Sequence, residues 1–326
     1  MSVSRPKIHP ALFLALLLVA VFAVDRVTAA TLKALVRASD YRISRIYADE
    51  AKTDVLLLGN SVANAMAIPP HIAHDVHRSV FTIAAHGIDA RTQEAFVLDL
   101  IDRGGAPKLA IIEIRPALST SLQAPAFSTY RPFSERVSDL IAEAQPKTVL
   151  WPKLLNAYAF NSPQLANILQ KVADRDDQAT GPSNGKINET MKKRWLAKPQ
   201  LPQTSPDQVQ ALGRTASALQ AAGSTVIVLA APQSPVTRQK GPWMDKVMGN
   251  IRAAMPPGVK VLDYSAMLDE DRYFEDPTHM NHAGREAFRR PLDHLIEQTL
   301  REASARKVSA PGRARGAVQE SRVRDL

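Results

Sequence analysis

The chain has 326 residues, no cysteine, 45% hydrophobic residues and a formal net charge of +9. Without cysteine, disulfides, cysteine nucleophiles and thiolate metal sites are excluded. The basic residues gather at the N-terminal flank, in a mid-chain insertion and in the tail, with no stripe of them interleaved with aromatics, so an anionic membrane or envelope surface is a more economical partner than nucleic acid.

Arg5 and Lys7 precede an uninterrupted apolar run from Ala11 to Val24, which Asp25 and Arg26 end. A span needs about twenty residues, so the run becomes a marginal one only with Ile8 and the residues around Val27. With its positive flank, 1–30 reads as a cytoplasmic stub and signal anchor. That places the bulk of the chain on the extracytoplasmic, periplasmic side of the inner or plasma membrane. Cleavage after Thr28-Ala29-Ala30 is the alternative. Residues 31–50 read as a helical stalk, with Leu32, Leu35, Val36, Ile43 and Ile46 among Lys33, Arg37, Arg42 and Arg45, and a helix packing on the domain edge or on lipid headgroups suffices to explain the pattern.

Val55 to Leu58 is a continuous apolar run, as a strand covered on both faces of a parallel sheet requires. Val80 to Ala85 and Leu109 to Ile114 repeat it, and a helix from about Asp89 to Asp102, closed at Gly104-Gly105, lies between them. This rhythm predicts right-handed crossovers and an α/β doubly wound sheet. From Arg115 to about Ser205 prolines break the pattern, with short helices expected from Ser134 and from Ser162-Pro163. Residues 116–205 read as an insertion. Its stretch Lys186 to Lys198 carries Lys192, Lys193, Arg194 and Trp195, either a grip for a polyanionic or carbohydrate ligand or a solvated basic loop anchored by one tryptophan. The rhythm resumes with a helix capped at Ser205 and closed at Gly223, a strand from Thr225 to Ala230, a helix from Trp243 to Met255, a strand from Val259 to Leu262 and a last helix from about Ala283 to Arg301. The α/β domain thus covers 51–302, and 303–326 is expected to be a basic disordered tail.

In an open parallel sheet, functional residues sit beyond the carboxyl ends of the strands. Ser61 follows the first strand directly, with Gly59 allowing a tight turn. A serine hydroxyl is a weak nucleophile until a base takes its proton, and the base needs a carboxylate to orient it. His279 and Asp276 offer both within Asp276-Pro277-Thr278-His279. Taken singly, Ser61 is equally an N-cap serine and Asp276-Pro277 a helix-entry turn. Taken together they are a candidate nucleophile, base and orienting acid, which requires the Ser61 hydroxyl within about 3 to 4 Å of a His279 ring nitrogen. His282 competes as base. His71, His74 and His77 flank Asp75 but spread around a helix, and Asp269-Glu270-Asp271 lacks the alternation of a calcium loop, so no metal is expected. No glycine-rich nucleotide motif occurs.

Leu57-Leu58-Gly59-Asn60-Ser61 resembles the first block of the SGNH/GDSL hydrolases, and Asp276-Pro277-Thr278-His279 resembles their last, the DxxH pair. The continuation Met280-Asn281-His282-Ala283-Gly284 is similar to the membrane-anchored branch, which moves acyl groups on cell-envelope polymers. The resemblance covers roughly 50–115 and 205–300. It implies a flavodoxin-like sheet, a triad of Ser61, His279 and Asp276, no metal or organic cofactor, and an oxyanion held by the amides of Ser61 and Gly87. Two positions depart from the pattern. Asn60 stands where aspartate is usual; it still bonds the turn but brings no charge, and it is a further candidate to bind the oxyanion. The third-block asparagine is missing: the chain reads Glu113-Ile114-Arg115-Pro116, where Arg115 either replaces it, holds an acidic substrate, or pairs with Glu113. The implied activity is that of an exported serine esterase or O-acyltransferase on ester-linked acyl groups of envelope glycans or lipids. The implied partners are the membrane, through the N-terminal helix, and a membrane acyl-donor protein. The alternative is a non-catalytic glycan-binding or assembly protein on the same fold.

Overall fold

The computed structural model describes residues 9–174, 184–197, 203–239 and 243–309. Arg5 and Lys7, Lys198, and the expected tail from residue 310 lie outside them. Five strands, β1 (Val55–Leu58), β2 (Val80–Thr82), β3 (Leu109–Glu113), β4 (Thr225–Ala230) and β5 (Lys260–Asp263), form one sheet in the order β2-β1-β3-β4-β5. Every pairing is parallel, with Val55 beside Val80 on one side and Leu109 on the other. This is the flavodoxin-like order of a doubly wound α/β sheet.

Alternate strand residues feed two cores. Leu56, Leu58, Ala110, Ile112, Val226 and Val228 join Phe96, Leu212 and Ile251 from the helices Ala90–Asp102, Pro206–Ala221 and Trp243–Ala254. Val55, Leu57, Leu109, Ile111, Ile227 and Leu229 join Ile72, Phe288 and Leu292 from Pro69–Val76 and His282–Ser309. Burial on both faces is why these strands are apolar without alternation. β2 stops at Thr82, short of the expected Ala85, because the Thr82 hydroxyl donates to the Leu57 carbonyl and accepts from the Ala84 amide, turning the chain out of the ladder. Asp89 and Ser134 cap their helices, accepting from Arg91 and Thr92 and from Val137 respectively. Ser205 occupies its cap position without a side-chain cap bond. The last helix continues past Arg301 to Ser309, and Glu302 on it pairs with Lys260 of β5 at 2.9 Å.

The N-terminal segment departs most from the sequence reading. One unbroken helix, α1 (Pro10–Ala38), merges the expected anchor with the first part of the expected stalk, and it is long and apolar enough to cross a membrane. No separate stalk follows. The Ser39 hydroxyl donates to the Ile168 carbonyl at 2.6 Å, and Tyr41, Ile43, Ile46 and Tyr47 enter the core. Tyr47 stacks on Tyr130 and donates to Asp99 Oδ2 at 2.7 Å. Those partners are far along the chain, so helical periodicity alone reads the segment as a surface helix. Asp25, too, is buried instead of returning the chain to water. Its carboxylate accepts from the amides of Asn156 and Ala157 at 2.8 and 3.0 Å, capping the short helix Asn156–Phe160 of the insertion, and pairs with Arg26.

Removing residues 1–24 therefore leaves the domain folded, whereas removing 1–50 deletes Ile43, Ile46 and Tyr47, all almost fully buried. At about 2 to 5 kcal/mol for each large buried side chain, that loss rivals the whole stability of a domain. Circular dichroism and urea unfolding of the two truncations check this; a cooperative transition in the shorter chain contradicts it.

Candidate active site

β1 ends at Leu58, and Gly59-Asn60 turn the chain into the helix Ser61–Met66. Gly59 is dictated by space, since a Cβ there would collide with Ala63 Cβ and meet Glu113 Cβ at 3.0 Å. Gln93 Nε2 donates to the Gly59 carbonyl at 3.0 Å. Asn60, not Ser61, is the N-cap: its Oδ1 accepts from the Val62 amide at 2.9 Å. Ser61 opens the helix with its hydroxyl free of capping.

The partner loop lies 218 positions away. Asp276 Oδ1 accepts from the amides of Thr278 and His279 at 2.7 and 2.9 Å and from the Thr278 hydroxyl at 2.9 Å. Asp276 Oδ2 sits 2.8 Å from His279 Nδ1, and His279 Nε2 sits 2.8 Å from Ser61 Oγ. From behind, the hydroxyls of Ser234 and Thr237 donate to the Pro277 carbonyl at 3.0 and 2.5 Å. Asn281 Nδ2 donates to the carbonyls of Arg272 and Gly185, and Phe274 bridges Met280. A Cβ at Gly284 would strike the Tyr273 carbonyl. Asn281 and Gly284 thus shape the loop rather than the chemistry.

Burial alone raises the Asp276 carboxyl, but the hydrogen bond and charge of His279, with the amides of Thr278 and His279, outweigh it and hold the acid well below the usual carboxylate range. An ionised Asp276 keeps the His279 proton on Nδ1 and turns the Nε2 lone pair toward Ser61 Oγ, the tautomer a general base needs. Gly87 lies in the turn after β2 with φ 70°. Among the described residues the amides of Ser61 and Gly87 donate no hydrogen bond.

Glu113 closes β3 beneath the Gly59 turn and is 1% exposed. It accepts from the amides of Arg115, at 2.9 Å, and Ala231. Burial pushes its carboxyl up to about 7 against the opposing charges of Arg115 and His279. Arg115 does not pair with Glu113 through its side chain: among the described residues its guanidinium makes no ion pair, and Nε and Nη2 are buried without partners. Burial lowers the guanidinium, while Glu113 and Asp276 pull the other way. The structure therefore speaks against the pairing with Glu113, and the two unfilled donors are buried within electrostatic reach of Asp276.

The other candidates do not join this site. His282 is exposed and bonds Arg285 Nη2 through Nδ1 at 2.7 Å. His74 bonds Asp75 at 3.0 Å, and His71, His74 and His77 gather no common set of ligand atoms among the described residues. Glu275, Asp276 and His279 bring donor atoms within 4.8 Å of one another, but Asp276 and His279 already take each other up. Lys192 is spent internally on Asp271 and Glu189, at 2.7 and 2.8 Å, which ties the helix Glu189–Ala197 beside the site loop instead of offering a ligand grip. Lys193 and Arg194 are exposed. Gln93, Ser234 and Thr237 were not legible as site residues, since each acts through a backbone carbonyl of a segment remote in sequence. Thr278 was legible only as part of the Asp276 loop.

No protein-family model matches this chain, and no curated protein matches it. Among solved structures it is similar to a family two carbohydrate esterase from Clostridium thermocellum in complex with cellohexaose, at 10% identity over 76% of this chain and a TM-score of 0.38. The chain covers 64% of that esterase's length. It is also similar to a GDSL-like lipase from Bacteroides thetaiotaomicron, at 13% identity over 76% of this chain and 88% of the lipase, with a TM-score of 0.36.

Because Glu113 titrates near 7 when folded and near 4.5 when not, the folded chain holds the proton more tightly between those values. Stability therefore falls as pH rises through that window, by at most about 1.4 kcal/mol per unit. Urea unfolding across pH 4.5 to 7 should show the fall, and Glu113→Gln should flatten it; equal slopes in the two proteins would rule out Glu113 as the source.

Proposed function

We propose that the chain is a serine hydrolase of the SGNH type, cleaving or transferring ester-linked acyl groups of cell-envelope glycans or lipids. The observation that carries this reading is the hydrogen-bonded line from Ser61 Oγ through His279 to Asp276, 2.8 Å at each link, at the carboxyl edge of a parallel sheet. The block resemblances at Gly59-Asn60-Ser61 and Asp276 to His279 support it. In this reaction Ser61 Oγ attacks the ester carbonyl carbon while its proton passes to His279 Nε2. The carbonyl oxygen takes the negative charge and accepts hydrogen bonds from the amides of Ser61 and Gly87. His279 then returns the proton to the departing alcohol oxygen, leaving an acyl-serine. Water or an acceptor hydroxyl, giving its proton to His279, attacks that ester, and as the bond from the acyl carbon to Ser61 Oγ breaks His279 returns the proton to Oγ. Asp276 stays ionised throughout and stabilises the imidazolium. Arg115, with its unfilled donors, stands in for the hydrogen-bond donor that the missing third-block asparagine would supply. The reading also sets α1 across a membrane, with the domain on the extracytoplasmic side. A non-catalytic binding role is the competing reading, favoured by that same missing asparagine.

A fluorophosphonate probe should label the folded protein, with labelling lost in Ser61→Ala and weakened in His279→Ala; a domain that never reacts is a binding protein. Against an acetylated glycan, Asp276→Asn should lower kcat by about ten-thousand-fold, as loss of the orienting acid does in triads. Acetyl release measured with and without a glycan acceptor separates the two activities, because a rate indifferent to the acceptor means hydrolysis.

A further inference from the structure

α1 and the insertion line an open cavity of about 600 Å³ that shares no residue with the Ser61 site. Arg26 and Lys33 come from the helix, and Arg131, Lys153 and Asn156 from the insertion; Asp139 is the one acid on its wall. Arg26 is already paired to Asp25, and Lys33 lies over the Phe133 ring. Arg131 and Lys153 have no carboxylate partner among the described residues, and burial without one depresses the Arg131 guanidinium. Arg131 and Lys153 thus face a space roomy enough for a phosphate and its glycerol with no carboxylate partner, and Lys33, set over a ring, adds a third positive charge that no acid among the described residues neutralises.

The position of this cavity along α1 matters as much as its charge. The helix is exposed up to Val24 and anchored to the insertion from Asp25 onward. Its apolar run from Ala11 to Val24 rises only about 21 Å at 1.5 Å per residue, short of a hydrocarbon core of about 30 Å. With the residues around Val27 included, as a span requires, the headgroups on the domain side come to the level of Ala29, Ala30 and Lys33, which line the cavity. The next element of the insertion agrees. Leu150, Trp151 and Leu154 are 59, 49 and 44% exposed, beside Pro152 and Lys153 of the cavity wall. An exposed tryptophan with leucines and a flanking lysine suits the water–hydrocarbon boundary.

We propose that this cavity binds the phosphate headgroup of an anionic phospholipid from the membrane that α1 spans, with Arg131, Lys33 and Lys153 as its cations and Leu150, Trp151 and Leu154 against the acyl chains. The proposal rests on the membrane reading of α1. It makes the domain lie on the bilayer at a set orientation through a second, lipid-selective contact.

The test uses the full chain, expressed in membranes and extracted in mild detergent, with native mass spectrometry counting retained phosphatidylglycerol and phosphatidylcholine. Phosphatidylglycerol should be retained preferentially, and Arg131→Gln and Lys153→Gln should each weaken it about fivefold, the effect of roughly 1 kcal/mol per basic residue at an anionic surface. Should Arg131→Gln fail to fold, the exposed pair Lys33→Gln and Lys153→Gln carries the same expectation. Equal retention of both lipids, or variants that bind phosphatidylglycerol as well as the parent, overturns the site. Displacement of the lipid by millimolar inorganic phosphate overturns its assignment to a lipid. An alkaline carbonate wash of the membranes first separates the premise: release of the chain refutes the anchor itself, whereas retention without lipid selectivity refutes only this site.

Discussion

A parallel sheet buried on both faces leaves one place for polar chemistry, the loops beyond its carboxyl edge. Everything that distinguishes this chain is subject to that constraint. β1 delivers Ser61, β3 delivers Glu113 and Arg115, β4 leads to Ser234 and Thr237, and β5 leads to the Asp276 loop. β1 and β3 are neighbours in the sheet although β2 intervenes in sequence, and the switch in winding direction between them opens the crevice. The Gly59 turn can sit directly on Glu113 only because it has no side chain there.

Much of this was legible beforehand. The apolar runs of β1, β3 and β4 announced two-sided burial, and the Ser61, Asp276 and His279 positions could be joined from residue types and strand order. Other features were hidden for definite physical reasons. Asn60 reads as a substitution at a motif position, whereas the structure makes it the helix cap, a task needing only a short side-chain oxygen. Ser234, Thr237 and Gln93 hold backbone carbonyls, and a carbonyl acceptor leaves no trace in residue type. Asp25 looks like the polar end of a membrane segment, because its capping partners are amides at 156 and 157, distant in sequence and the same in every residue.

The neighbourhood of Glu113 adds an electrostatic tension to the site. A carboxyl pushed up to about 7 lies under the turn that bears Ser61, in the field of a histidine and of an arginine with idle donors. The third strand thus contributes a buried acid and base that do not neutralise each other through their side chains. The Arg115 Nε and Nη2 stay buried beside Glu113 without a hydrogen-bond partner among the described residues, so the acid and the base of this strand are held apart rather than joined.

The carboxylate of Asp25 has a mechanical meaning. A chain leaving a membrane through a flexible linker lets its domain wander, and the concentration of the domain at any height follows the statistics of the leash. Here the helix is bolted to the insertion by a capped turn, and the chain that follows it enters the core through Tyr47. With that helix set in a bilayer, the serine would be carried like an instrument on a mast, at one elevation and one heading. Which acyl groups it meets would then be settled by how far they stand from the membrane before the chemistry of the crevice is consulted.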